Sequence, residues 1–427
     1  MTITQKLVKL IYNKKISKPD LNIAKIYCLD AMANSIAGSS TLPGKILNEW
    51  YSRHTENPSR KAFLLASRAH ILETDDLHRA SVTHPGCIVV PVALSLGTSL
   101  NSTGKDILIS IIYGFEAMCR IGMALGPEHY RIWHNTATCG PYGAAMTASY
   151  LLKLNNKQTV DALGNAGTQS SGLWEFLKSG AMSKHLHAGR AAESGVLAAE
   201  LASLGFTGPP TILEGKKGFF AATSPKARPN NVLKNADERW QIYNTSLKPW
   251  PSCRHTHPAI DATLSAVSKL KGNNTIKQIH INTYQAAIDV CDNPNPKSEY
   301  EAKFSLQHNV AAAAYDRKIN FDSYIESARK KHKKNIDLVR ISSNNVFNLN
   351  YPKAWGAKVI IKLNNGKIIS STKKNALGDP ESPLNEKQKA EKIKELFSLT
   401  GKNNDLIDII KSLDSEKNSK IFIKNLS

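Results

Sequence analysis

The chain has 427 residues, 41% of them hydrophobic, with 56 Lys+Arg against 35 Asp+Glu for a formal net charge of +21. That length accommodates two domains. No apolar run reaches the roughly 18–20 residues that span a bilayer, and MTITQKLVKLIYNKKISKPD lacks the continuous apolar core of a secretory signal, so a cytoplasmic protein with no membrane partner is expected.

Residues 1–220 read as a succession of helices rich in Ala, Gly and Ser. In chain order they are 22–38, 87–100, 106–126, 141–154, 159–173 and 191–205. Small residues at close spacing let helices approach one another closely, and clear strand patterns are scarce. An all-helical bundle follows. After about residue 240 the texture changes. HPAIDATLSAVSKLKG (257–272) is an amphipathic helix, IKQIHINTYQAA (276–287) alternates as a strand does, and SLQHNVAAAAYD (305–316) is helical. AKVIIKLNNGKIISSTKKN (357–375) reads as a hairpin turning at Asn-Asn-Gly. KKHKKN, KLNNGK and STKKN read as turns and exposed faces. LNEKQKAEKIKELFSLTG (384–401) and NDLIDIIKSLDSEK complete the chain as helices. The expected architecture is mainly α: an all-helical bundle domain of residues 1–243 plus 385–427, and a smaller α+β lid domain of residues 244–384.

The six cysteines are far apart and form no CxxC pair, so reduced, buried thiols are expected rather than a disulfide framework. The positive charge is scattered, and no aromatic residues interleave with the basic clusters to stack on bases. No nucleic-acid partner is therefore expected, although a basic nucleic-acid-binding protein is the alternative of a different class. No G-x-x-x-x-G-K-[ST], G-x-G-x-x-G, G-x-S-x-G or H-E-x-x-H is present, which removes the usual nucleotide, dinucleotide, serine-hydrolase and zincin signatures.

What recurs is a histidine or lysine just ahead of a helix. ETDDLHRASVTHPG (73–86) brings Glu73, Asp75, Asp76, His78 and His84. Such a set suits a divalent metal, or caps and carboxylates that orient histidines. WHNTATCG supplies His134. SKHLHAGRAAESG (183–195) crowds Lys184, His185 and His187 into the start of an alanine-rich stretch, where cations oppose the helix dipole unless an anion sits among them. WPSCRHTHPAIDA (250–262) carries Arg254, His255 and His257, and YEAKFSLQH carries Lys303 and His308. Arg254 could grip a carboxylate bidentately or simply start a solvated helix. Each segment alone reads as ordinary packing or solvated surface; converging, they would form an acid/base site with cationic clamps.

Taken together, DAMANSIAGS (30–39), the acidic pair before THPG (83–86), GFEAMCRIG (114–122), WHNTATCGPYGAA, the 172–219 segment, WPSCRHTHPAID, AKFSLQHNVAAA and GDPESPLN (378–385) resemble the MmgE/PrpD family over most of the chain. The resemblance implies a dimeric enzyme whose site lies between a helical domain and an α+β lid. Family members include 2-methylcitrate dehydratase, cis-aconitate decarboxylase and iminodisuccinate epimerase. It implies a small di- or tricarboxylate substrate, α-proton chemistry, and no cofactor or metal. It places His134 and His257 as the proton-transfer pair, with His84 and Lys184 also catalytic. Arg254, His308, Lys303, Asp75 and His187 would contact substrate. Departures from the family pattern are Thr74, where an aromatic is common, Leu77, where a threonine is common, and His308, where decarboxylase-type members have a tyrosine. A hydro-lyase of the 2-methylcitrate dehydratase kind is the leading expectation, with an epimerase or a decarboxylase as alternatives.

Overall fold

Glycine and alanine set how closely the helices of the first unit approach. In the computed structural model, which describes residues 1–270, 275–401 and 405–415, the long helix Ser183–Ser203 packs against Asn135–Leu151 and Pro58–Ala69. A Cβ on Gly195 would come within 2.2 Å of the Ala144 Cβ and 2.6 Å of the Ala145 backbone nitrogen. Only glycine permits that approach. The apolar stripe of Gly104–Met123 buries Ile107, Leu108, Ile111, Ile112 and Phe115 completely, each contributing roughly 1.5–3 kcal/mol on leaving water. Thr103, Asn57 and Asn155 cap their helices by accepting backbone N–H groups, as these side chains do at N-termini.

Two compact units result. Residues 1–245 and 389–427 form the helical one, and residues 246–388 form the second. The fold is mainly α with a smaller α+β domain. The second unit holds a four-stranded sheet in the order Val339–Ser343, Ile276–Thr283, Ala357–Leu363, Ile368–Lys373. The last two strands are the expected hairpin. Ala357, Val359, Ile361 and Leu363 face inward while Gly366, at φ 84°, closes the turn. Alternation in Ile276–Thr283 breaks between Ile276 and Gln278, where the register shifts. Val339–Ser343 pairs parallel with Ile276–Thr283, so the intervening chain crosses over through helices, as a parallel pair requires.

Some boundaries differ from the sequence reading, each for a local reason. The helix expected from residue 141 begins at Asn135 and carries Pro141 inside it. The helix expected from 191 begins at Ser183, so Lys184, His185 and His187 sit in its first turns. The strand expected over 276–287 ends at Thr283 and gives way to the helix Gln285–Cys291. KKHKKN is an exposed face, as expected, rather than a turn. It lies in the helix Glu326–Ile336, which is anchored by buried His332 and Ile336 while its lysines stay in water. Residues 271–272, 404 and 416–417 of the expected helices lie outside the described residues.

Candidate active site

Four segments of the helical unit converge on one buried cluster. His70 ends the helix Pro58–Ala69. Glu73 and Asp75 follow in the connecting loop, and His84-Pro85 leads into the helix Gly86–Ser99. His134 is the residue before the helix Asn135–Leu151, its backbone nitrogen donating to the Gly172 carbonyl at 3.0 Å. Lys184 and His187 come from the start of Ser183–Ser203.

Asp75 is the hub. Its Oδ2 lies 2.6 Å from His70 Nδ1 and 3.2 Å from His84 Nδ1. His70 also stacks on His134, with centroids 5.5 Å apart and planes 12° from parallel. His134 Nδ1 approaches His187 Nδ1 at 3.2 Å, so one ring donates and the other accepts. Trp174 covers His134 at 4.7 Å. Lys184 pairs with Glu73, and both are buried. This resolves the oddity of a lysine in the first turn of a helix: its counter-ion arrives from the loop after residue 70. Glu73 adopts φ 61°, the left-handed region that non-glycine residues seldom enter, and such conformations persist where surrounding contacts over-determine them. The His84 side chain keeps 11% of its surface accessible, against 0% for His70 and 1% for Asp75, so His84 is the member of that trio a small ligand can reach.

Burial governs the electrostatics. Desolvation pulls His70 down to about 4 despite the opposing Asp75 carboxylate, takes His187 to about 4, and pushes His134 well below the ordinary histidine value, with neighbouring His70 and Lys184 adding to the last effect. These rings are neutral at pH 7. Desolvation, with Asp75 and Asp30 nearby, raises Asp76, whose two oxygens both accept the Gly86 N–H at 3.0 Å. A stability prediction follows from the histidines. Their folded pKa values lie below the unfolded value near 6.5, so between about pH 6.5 and 4 the unfolded chain binds more protons. Stability is therefore full above pH 6.5 and falls as the pH drops toward 4. Thermal melts from pH 7.5 to 5 check this; a flat melting temperature would contradict it.

His70, Asp75 and His84 place their candidate ligand atoms within 4.8 Å of one another, a donor set that suits a borderline divalent cation. The 2.6 Å separation of His70 Nδ1 from Asp75 Oδ2 is that of a hydrogen bond, whereas His84 Nδ1 stands 3.2 Å from the same oxygen as an ion-pair contact.

The remaining candidates lie in the α+β unit. Arg254 is buried, paired through Nη2 with Asp379, and donates from Nη1 to the Leu377 carbonyl and to His257 Nδ1, each at 2.9 Å. A guanidinium only donates, so His257 Nδ1 accepts and its proton sits on Nε2, 3.2 Å from the Ser252 carbonyl. His308 is fully buried with Nε2 on the Ser323 carbonyl at 2.8 Å. Lys303 pairs with Glu299 at 3.0 Å and lies 5.9 Å from the Tyr324 ring. Thus Asp75, His84, His134, Lys184 and His187 are gathered in the helical unit. Arg254 and His257 form a second group in the α+β unit, and Lys303 and His308 flank Tyr324 there.

Sequence reasoning passed over His70, which reads as the polar end of a helix; its signal was the position five residues before Asp75. It also passed over Lys248, fully buried in KPWP, where a lysine between apolar and proline residues was the available cue.

The fold and the cluster define a two-unit α and α+β protein carrying a buried histidine–lysine–carboxylate site in its helical unit. Residues 5–231 match the MmgE/PrpD N-terminal domain and residues 250–415 the MmgE/PrpD C-terminal domain; the chain belongs to the MmgE/PrpD family. Among curated proteins it is similar to the cis-aconitate decarboxylase of Aspergillus terreus, 25% identical over 74% of this chain and 70% of the relative. It is similar also to that of Homo sapiens, 26% identical over 76% and 73%, and to that of Mus musculus, 28% identical over 62% and 57%. Among the described residues no helix is long and apolar enough to cross a membrane.

Proposed function

We propose that the protein is a lyase acting on a small di- or tricarboxylate through proton transfer at a carbon next to a carboxylate, most simply as a hydro-lyase of the 2-methylcitrate dehydratase kind. The observation that carries this reading is the buried cluster in which neutral His134 and carboxylate-held His84 accompany Lys184. Removing a proton α to a carboxylate builds an enediolate-like dianion, which a fixed cation in a dry site stabilises far better than water does. Lys184 supplies that cation. His134, neutral at working pH, takes the α-proton. The Asp75 carboxylate beside Nδ1 stabilises His84 as an imidazolium, which delivers its Nε2 proton to the departing hydroxyl and is left neutral, so the C–O bond breaks, water leaves and the alkene remains. In this reading Arg254 and His257 frame the α+β unit rather than move protons, because each is committed to neighbours within it.

Decarboxylation is the second reading, favoured by the names of the relatives. It requires carbon protonation rather than abstraction, and His308 stands where decarboxylase-type members carry a tyrosine. Proton NMR in heavy water separates the possibilities, using EDTA-treated protein with 2-methylcitrate, citrate, cis-aconitate and imino- and hydroxy-dicarboxylates. A new alkene signal from a hydroxy acid supports the dehydratase. Loss of carbon dioxide from cis-aconitate moves the assignment to the decarboxylase, and deuterium wash-in without alkene moves it to an epimerase. Activity lost to EDTA and restored by zinc would make His70, Asp75 and His84 a metal site.

A further inference from the structure

Two stretches that carried no site residue in the sequence reading, DAMANSIAGS and the helix Glu386–Ser398, meet behind the cluster. Lys392, on the helix Glu386–Ser398, forms an ion pair with Asp30 and donates to the Thr74 carbonyl at 2.8 Å. Asn34, one turn along from Asp30, donates to the Asp30 carbonyl at 2.8 Å, and its side-chain oxygen accepts from the Thr74 hydroxyl. Thr74 is therefore held at both its backbone and its side chain. Its neighbours are Glu73, left-handed and paired with Lys184, and Asp75, hydrogen-bonded to His70 and 3.2 Å from His84 Nδ1. Lys392 is 8% exposed, Asp30 and Thr74 3%, and Asn34 is fully buried.

A buried ion pair is a costly way to fill space, since well-packed apolar side chains in its place are often as stable or more so. What an apolar pair cannot do is donate to a backbone carbonyl. An ammonium has three donors, and Lys392 spends them in two directions, on Asp30 and on the loop. We propose that Lys392 is a positioning residue: with Asp30 and Asn34 it locks the 73–76 loop in the strained geometry that points Glu73 at Lys184 and Asp75 at the two histidines. The C-terminal helix is thereby part of the site's machinery. The catalytic consequence rests on the reading under Proposed function; the locking of the loop does not.

The test is the double variant Asp30→Asn with Lys392→Met, which removes both charges together and leaves none stranded, compared with Lys392→Arg and the wild type in the full chain. Hydrogen exchange followed by mass spectrometry reads the loop directly. In the double variant, amides of residues 73–79 are expected to exchange about tenfold faster while the Gly104–Met123 helix keeps its protection. On the substrate found by NMR, kcat is expected to fall about 10²-fold, the scale of a misplacement near 1 Å, with KM within about threefold. Lys392→Arg, which keeps the charge and the donors, is expected to recover most of kcat. Unchanged loop exchange would overturn the proposal. Faster exchange with wild-type kcat would overturn its catalytic half. If the wild type turns over nothing in the panel, the functional reading fails while the exchange measurement still decides whether Lys392 holds the loop.

Discussion

Methionine in place of Lys184 is expected to lower kcat/KM by about 10²–10³-fold, the cost of removing one preorganised group aimed at developing charge, and also to destabilise the fold by about 3–5 kcal/mol, the cost of breaking a buried ion pair from one side. Both effects come from the same geometry. The side chains of Lys184 and Glu73 are 4% and 2% exposed, so the remaining carboxylate cannot recover its lost partner from water. The pair of effects can be taken apart. Adding Glu73→Gln to Lys184→Met removes the stranded charge, and denaturant melts should then recover most of the lost stability. Activity should not return, because the substrate's developing charge still lacks its cation. Recovery of activity in the double variant would show that Lys184 serves only to neutralise Glu73.

The second large effect lies in the α+β unit. Asp379 is fully buried, and its carboxylate holds Arg254, the Ser246 hydroxyl at 2.6 Å and, through Oδ2, the Ala376 N–H at 3.0 Å, while Arg254 carries the network on to Leu377 and His257. Next to it Gly378, at φ 90°, accepts the Leu247 N–H on its carbonyl at 3.0 Å, and a Cβ there would meet the Leu247 carbonyl oxygen at 1.8 Å. Asp379→Ala strands the buried Arg254 guanidinium and is expected to cost about 3–5 kcal/mol, seen as an earlier unfolding midpoint. At a temperature where the variant remains folded, KM is expected to stay within about threefold. A KM raised in step with the loss of Asp379, with the fold intact, would instead make Arg254 a substrate ligand.

The hairpin was legible because AKVIIKLNNGKIISS alternates and turns within fifteen residues, so its pattern is local. The strand Val339–Ser343 was not, because a five-residue strand behind a lysine-rich helix acquires its identity from its partner Ile276–Thr283, far away in sequence. The same division holds for the cluster. Histidines and lysines ahead of helices could be picked out one by one, and resemblance gathered them. Nothing local could pair Lys184 with Glu73 or Arg254 with Asp379, because each contact joins residues more than a hundred positions apart. RHTHP shows His257 only as a histidine ahead of a helix; the fold puts its ring between a guanidinium and a carbonyl.

The helical unit is interrupted. The chain leaves it after Thr245, builds the whole of Ser246–Gln388, and returns to finish it. Its first long helix, Lys18–Gly38, packs on early helices such as Pro58–Ala69 and Gly104–Met123, but its ion pairs at Asp30 and Lys25 are completed from the far end of the chain: Lys392 on Asp30, and the Lys411 carbonyl and Asp414 on Lys25. On a ribosome moving at about 5–20 residues per second, these partners arrive roughly 20–70 seconds after the helix they complete. During that interval the contiguous 246–388 segment can finish folding, whereas the unit begun first must wait, with Asp30 still lacking Lys392. The order of synthesis and the order of completion are thus reversed. The period of greatest exposure to aggregation or proteolysis falls on the nascent helical unit, and it ends only when the final helices emerge.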